Sequence, residues 1–288
     1  MPRTAVAVVT DSTATLPADV LAEHDISVVP LQVVIGARSY DEGTEAPPSM
    51  VAAALREFLP VSTSRPAPEA FADVYERLAA EGHEAIVSVH LSRQVSGTCE
   101  SAELAARRVD IPVRVVDTRL VGIGTGLAAR AAALAAATGG DVDDVAHTAV
   151  DQAQATTSLI YVDTLEHLRR GGRVGNAAAL MGSALAVKLL LIIDDGRIVP
   201  LEKVRTSSRA LGRIESRAID AALKLGKRPV AVVVQHLGAG ARAEALAAKL
   251  HTRLVDHGVT ASLTVGEVGA VIGAHVGPGM VAVVVAPG

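Results

Sequence analysis

Aromatic side chains are nearly missing from this chain. Its 288 residues include three tyrosines, two phenylalanines and no tryptophan. A platform for stacking nucleobases has almost nothing to be built from. A basic excess is missing too: Lys+Arg is 27 against 31 for Asp+Glu, a formal net charge of −4. General nucleic-acid binders are usually basic, so this balance argues against a nucleic-acid partner. Cys99 is the only cysteine, which excludes an intramolecular disulfide and any multi-cysteine zinc site. No apolar run reaches the ~20 residues that span a bilayer. The nearest, Ala177–Ile193, is interrupted by Gly182, Ser183 and Lys188. The opening run Ala5–Val9 is too short for a secretion signal and gives way to Asp11. The expected location is cytoplasmic.

Several catalytic and cofactor motifs are also absent. There is no phosphate-binding G-x-x-x-x-G-K-[ST] loop, no G-x-S-x-G nucleophile elbow and no H-E-x-x-H pair. Gly122-Ile123-Gly124-Thr125-Gly126 departs from the dinucleotide fingerprint, with Leu127 where the pattern continues. It reads better as a tight strand–helix turn with close backbone packing. No metal and no cofactor is expected.

What is present is a globular composition, 50% hydrophobic and 20% charged. In the first half, short β-branched runs (Ala5–Thr10, Ile26–Val34, Ala85–Val89, Val113–Asp117) alternate with helical patterns. These are Pro17–His24, Pro48–Leu59, Pro68–Glu81, Ser96–Arg108 and Val121–Thr138, three of them opening on a proline. Such alternation predicts a parallel sheet covered on both faces, a three-layer domain. In the second half, Leu189–Asp194 and Arg197–Arg205 flank Asp195-Gly196, a two-residue hairpin signal. Strands Ser158–Val162, Val230–His236, Thr260–Val268 and Met280–Ala286 and helices Ser207–Leu225 and Ala241–His257 complete it. That pattern predicts a two-layer mixed sheet with helices mainly on one face. The fold class is thus α/β with two α/β domains, residues 1–155 and 156–288.

Three hydroxyl-rich turns stand out: Thr10–Thr13, Ser62–Pro66 and Leu91–Thr98. At the carboxyl ends of parallel strands, hydroxyls and free helix N–H groups suit a small anion. Each turn alone is equally an ordinary helix cap. His275 sits in a glycine-rich segment, Gly269–Gly279, where close approach of backbone or ligand is allowed. Arg169, Arg170 and Arg173 surround Gly171-Gly172, and Lys203, Arg205 and Arg209 form a second basic group.

Taken in order, these segments resemble the DegV family of fatty-acid-binding proteins. The likeness runs over essentially the whole chain: Thr10-Asp11-Ser12, Pro30-Leu31, Tyr40-Asp41-Glu42-Gly43, Thr63–Pro66, Ser96-Gly97-Thr98, Leu165–Arg173, Val204-Arg205-Thr206 and Gly273–Gly279. The resemblance implies two α/β domains with a long-chain fatty acid bound between them. It implies a carboxylate held by Thr63, Ser64, Ser96, Gly97 and His275, and no catalysis by this chain alone. It further implies a partner, an ATP-using fatty acid kinase subunit that makes the acyl phosphate for phospholipid synthesis. Transient membrane contact is compatible with it. Arg65 and Cys99 stand where the family often has Gln and an aromatic. Both are assigned, with Arg170, Arg173 and Arg205, to the pocket or to partner docking. The apolar stretch Leu180–Leu191 is an expected tail lining. Two other readings are a serine–histidine hydrolase and an acyl-chain-sensing regulatory module. The hydrolase would use Ser96, His275 and an orienting carboxylate from Asp11, Asp117 or Glu267.

Overall fold

The computed structural model describes residues 4–173 and 188–288. Most of the Leu180–Leu191 stretch, together with residues 174–175, therefore lies outside the described residues. The chain divides into two units, Met1–Gln32 with Ser64–Gln154, and Val33–Thr63 with Ala155–Gly288. The last of its three breaks falls between Gln154 and Ala155. The segment Val33–Thr63 differs from the contiguous division 1–155 and 156–288, because it joins the second unit.

The first unit carries a four-stranded sheet in the order β2-β1-β6-β7. Its strands are β1 (Val6–Asp11), β2 (Ile26–Val29), β6 (Ala85–His90) and β7 (Val113–Asp117), all parallel. Every residue of β1 and β6 is buried, as expected of central strands covered on both faces. Helices α3 (Pro68–Ala80) and α4 (Thr98–Ala106) close one face over Ala7, Val9 and Ile86, joined by Phe71 and Tyr75. Helices α5 (Ile123–Ala137) and α6 (Val142–Gln154) pack on the sheet as well, and α1 (Ala18–Glu23) lies by β2. The glycines in the first turn of α5 are a packing device. A Cβ on Gly126 would overlap the carbonyl oxygen of Ala14. The expected Ile26–Val34 strand is interrupted, since Pro30 has no N–H to give a ladder.

The second unit holds a six-stranded mixed sheet, β10-β9-β8-β13-β11-β12. Its members are β8 (Thr157–Val162), β9 (Lys188–Asp194), β10 (Arg197–Val204), β11 (Val230–His236), β12 (Ala261–Glu267) and β13 (Val281–Pro287). Only β11 and β12 run parallel among these pairs. The β9–β10 hairpin turns at Asp195 and Gly196 with φ of 46° and 80°, the left-handed pair that Asp-Gly favours. Helices α8 (Ser207–Lys224) and α9 (Gly240–Asp256) bury their apolar stripes against the sheet around Leu159, Tyr161 and Val283. A three-stranded sheet, β4-β3-β5, comes from the Val33–Thr63 segment: β3 (Gln32–Ile35), β4 (Arg38–Asp41) and β5 (Val61–Ser64). It is accompanied by α2 (Pro48–Arg56), while α7 (Glu166–Arg170) and α10 (Ala270–Val276) complete the unit. No described helix is long and apolar enough to cross a membrane.

Candidate functional site

In the second unit, Thr63 lies on β5 (Val61–Ser64), one residue before its end, and His275 lies one residue before the end of α10 (Ala270–Val276). The Thr63 hydroxyl lies 2.9 Å from His275 Nε2. The other ring nitrogen, Nδ1, is buried and finds no hydrogen-bond partner among the described residues. Burial first, and then the Arg173 cation, push the His275 pKa down to about 4. The ring is therefore neutral near pH 7 and carries one N–H. If that proton sits on Nε2, it is donated to Thr63, whose own O–H is free to serve another acceptor. If it sits on Nδ1, Thr63 donates to the ring and Nδ1–H is an orphaned donor. Either way the pair holds unspent hydrogen-bonding capacity, and a buried polar atom left unpaired costs ~1–3 kcal/mol.

A cavity of about 470 Å³ adjoins the pair, within the range of small-molecule sites. Leu55, Phe58, Leu59 and Val61 supply apolar lining, and Arg173 reaches the same space. Glycines set the spacing of its wall. A Cβ on Gly171 would overlap the His275 ring, and one on Gly277 would overlap His167. The Gly-Gly and Gly-x-His-x-Gly elements thus pack each histidine on a bare stretch of the other's backbone. The arginines around Gly171 have local partners. Arg169 and Arg170 bind Glu166 at 2.7 and 2.8 Å, holding its carboxyl down to about 2. Arg173 donates to the carbonyl of Gly171. Arg205 is exposed on the turn before α8.

The other hydroxyl turns lie in the first unit. Ser96 Oγ is 2.9 Å from Thr98 Oγ1 at the entrance to α4, with Gly97 between them as the N-cap. Arg65 folds over Gly97, and its Nη1 lies 3.5 Å from the Gly97 carbonyl. Ser64 is exposed, its hydroxyl 3.2 Å from the Arg65 carbonyl. Arg93 braces this loop through Glu103 at 2.8 Å and Asp117 at 3.1 Å. Cys99 is fully buried, and its thiol, pushed up by burial, points to the Leu91 carbonyl.

The three carboxylates considered as orienters for a hydrolase are engaged elsewhere. Asp11 binds His90 Nδ1 at 3.0 Å, Asp117 binds Arg93, and Glu267 lies 3.8 Å from His236 Nδ1.

Over residues 5–288 the chain matches the family model described as an uncharacterised protein, DegV family. The chain belongs to the DegV family. Among its DegV relatives, a DegV domain-containing protein of Streptomyces coelicolor is 52% identical over 280 residues, covering 97% of this chain and 98% of that protein. One from Mycobacterium tuberculosis is 36% identical, covering 97% and 96%. The solved DegV of Bacillus subtilis, described as a fatty acid binding protein, superposes with a TM-score of 0.89 at 31% identity, covering 99% and 100% of the two chains. A Thermus thermophilus DegV family protein, described for its fatty acid binding, gives 0.88 at 31% identity, covering 98% and 99%.

This DegV chain also holds polar groups that sequence reasoning missed. In the first unit Tyr75 donates to Ser88 at 2.7 Å, Ser88 lies 2.7 Å from His90 Nε2, and His90 Nδ1 lies 3.0 Å from Asp11. Asp11 also accepts from Leu91 N at 3.1 Å and from Thr13 N at 3.1 Å. All four side chains of the line are fully buried. The visible signal was Ser88 and His90 at alternate positions of an otherwise apolar strand, two side chains on one face.

Proposed function

We propose that this protein binds a long-chain fatty acid and presents its carboxylate to an ATP-using kinase partner. The observation that carries the reading is the Thr63–His275 pair with its unpaired Nδ1, set beside a cavity lined by Leu55, Phe58, Leu59 and Val61 on one hand and by His167, Arg170 and Arg173 on the other. The DegV structures described as fatty acid binding, at 31% identity, support the ligand class. A tail of roughly sixteen carbons gains on the order of 10 kcal/mol gross at ~0.8 kcal/mol per CH₂, before ordering costs. The carboxylate is the costly end, because an unpaired buried anion is strongly unfavourable. Thr63 and His275 are its proposed donors, with Ser64, Ser96 and Gly97 as the further ones.

Neutral donors leave the carboxylate nucleophilic. In the proposed sequence a carboxylate oxygen attacks the γ-phosphorus of ATP in the partner, ADP leaves, and the acyl phosphate goes to phospholipid synthesis. This chain supplies no catalytic group of its own. Arg170, Arg173 and Arg205 are the proposed docking cations. A Ser–His hydrolase is disfavoured by the absence, among the described residues, of a partner for His275 Nδ1.

The test is mass spectrometry of the protein purified from its native extract, with titration by a fluorescent fatty acid. A long-chain acid bound one to one supports the reading. Protein that carries no lipid and takes none up defeats it. Arg205→Glu, outside the cavity lining, is expected to slow kinase-coupled turnover while leaving lipid affinity within about twofold.

A further inference from the structure

Helix α10 is seven residues long, Ala270–Val276, and it carries His275 in its last turn. So short a helix has little stability of its own. Its N-cap, Gly269, has no side chain with which to cap it. The Val271 N–H is instead taken by Glu42 Oε1 at 2.7 Å, a bond between residues 229 apart in sequence. Glu42 is 5% exposed. A buried carboxylate needs partners, and the first turn of a helix supplies both a free N–H and a favourable dipole.

The turn that delivers Glu42 is tied to itself. Glu45 N and Ala46 N both donate to the Asp41 carbonyl, at 3.0 and 3.3 Å, and Asp41 N donates to Glu45 Oε2 at 2.9 Å. Gly43 takes φ of 91°, open to glycine at no steric cost. Val271 and His275 are four residues apart, so they share one face of α10. The same Val33–Thr63 segment therefore grips that helix at both ends. Glu42 holds the first turn, Thr63 meets the histidine in the last, and α2 of this segment packs along α10.

We infer that Glu42 is a positioning residue for His275: by capping α10 it fixes where the imidazole meets Thr63. The contact between ring and hydroxyl is sensitive to small movements, because a hydrogen bond at 2.9 Å is lost with a displacement of about 1 Å. This inference rests on the fatty-acid reading only for its effect on affinity. Its effect on the histidine can be read without any ligand.

The experiment compares Glu42→Gln, Glu42→Asp and Glu42→Ala in the full chain. Ring ¹⁵N and ¹³C shifts of His275 are followed against pH, and fatty-acid affinity is measured alongside. Glu42→Gln keeps the acceptor oxygen and is expected to keep the wild-type His275 titration and affinity. Glu42→Ala, or Glu42→Asp should the alanine variant not fold, is expected to weaken affinity about fivefold to tenfold, the scale of one lost cap. The His275 pKa is expected to move up towards the ordinary imidazole range at the same time. Ile219→Val serves as the control for general destabilisation, and it should leave the His275 shifts in place. Should Glu42→Ala and Glu42→Asp lower thermal stability while His275 titrates as in the wild type, the inference is overturned and Glu42 is only a cap. A wild type that binds no fatty acid sinks the functional reading, and the histidine titration still decides this one.

Discussion

The imidazole of His275 lies directly over Gly171, and its Nδ1 occupies the space that a side chain there would take. Gly171 has an ordinary helical backbone, φ −74° and ψ −8°, so alanine meets no backbone objection. Glycine is therefore required by the ring. Gly171→Ala is expected to cost fatty-acid affinity tenfold or more and to lower the thermal midpoint as well, because the added Cβ must displace the buried ring. Calorimetric titration beside a melting curve separates the two. A Gly171→Ala protein that binds as tightly as wild type would show that the ring has no part in ligand capture.

Thr63 is tested by an isostere. Thr63→Val keeps the β-branched shape and removes the hydroxyl, leaving His275 Nε2 without its 2.9 Å contact. Affinity is expected to fall about tenfold to a hundredfold, the scale of one to two lost hydrogen bonds to a charged group. Thr63→Ser should recover most of it. Equal affinities for the valine and serine variants would remove the hydroxyl from the site.

His275 also makes a pH prediction with a definite sign. Burial lowers its folded pKa from 6.5 to about 4, so the unfolded chain binds more protons between those values. The stability tied to the neutral ring is complete above pH ~6.5 and is lost as the pH falls towards 4, by at most on the order of 3 kcal/mol. Urea midpoints measured across that range should fall with pH, and less steeply in His275→Gln. A bound carboxylate favours the imidazolium, so ligand should raise the His275 pKa in an NMR titration.

The Asp11–His90–Ser88–Tyr75 line predicts a stability effect in the first unit. One consistent proton order runs through it: Tyr75 donates to Ser88, Ser88 to His90 Nε2, and His90 Nδ1–H to Asp11. Ser88→Ala orphans two buried groups at once and is expected to cost about 2–4 kcal/mol. Tyr75→Phe removes one end of the line and should cost about 1 kcal/mol. Chemical denaturation checks the ranking. A Ser88→Ala loss smaller than that of Tyr75→Phe would show that the line is not a connected network.

Local signals were legible where one residue type settles a backbone state. Asp195-Gly196 turned the β9–β10 hairpin, and Pro48 and Pro68 opened α2 and α3 as first-turn residues. Other elements were hidden by their chemistry. β5 (Val61–Ser64) reads as a polar turn because it has few apolar side chains, and its strand state comes from pairing with β3. α10 reads as a glycine-rich loop because Gly269, Gly273 and Gly277 are poor helix formers, and its helical state comes from packing and from Glu42. α6 was missed although Asp141 caps it, accepting from Asp143 N and Asp144 N at 2.9 Å.

By itself the sequence determined the class of fold and the chemistry on offer. Alternating apolar runs dictate strands and helices through periodicity, and the lack of nucleotide, metal and nucleophile motifs leaves hydroxyls, a histidine and arginines as the working groups. Only the tertiary structure decided which of those groups meet. Thr63 reaches His275 across 212 residues, and Glu42 reaches Val271 across 229. Such pairs have no local period for a sequence to display. They exist because the Val33–Thr63 segment packs with the second unit, and that placement follows from the summed burial of many side chains rather than from any motif.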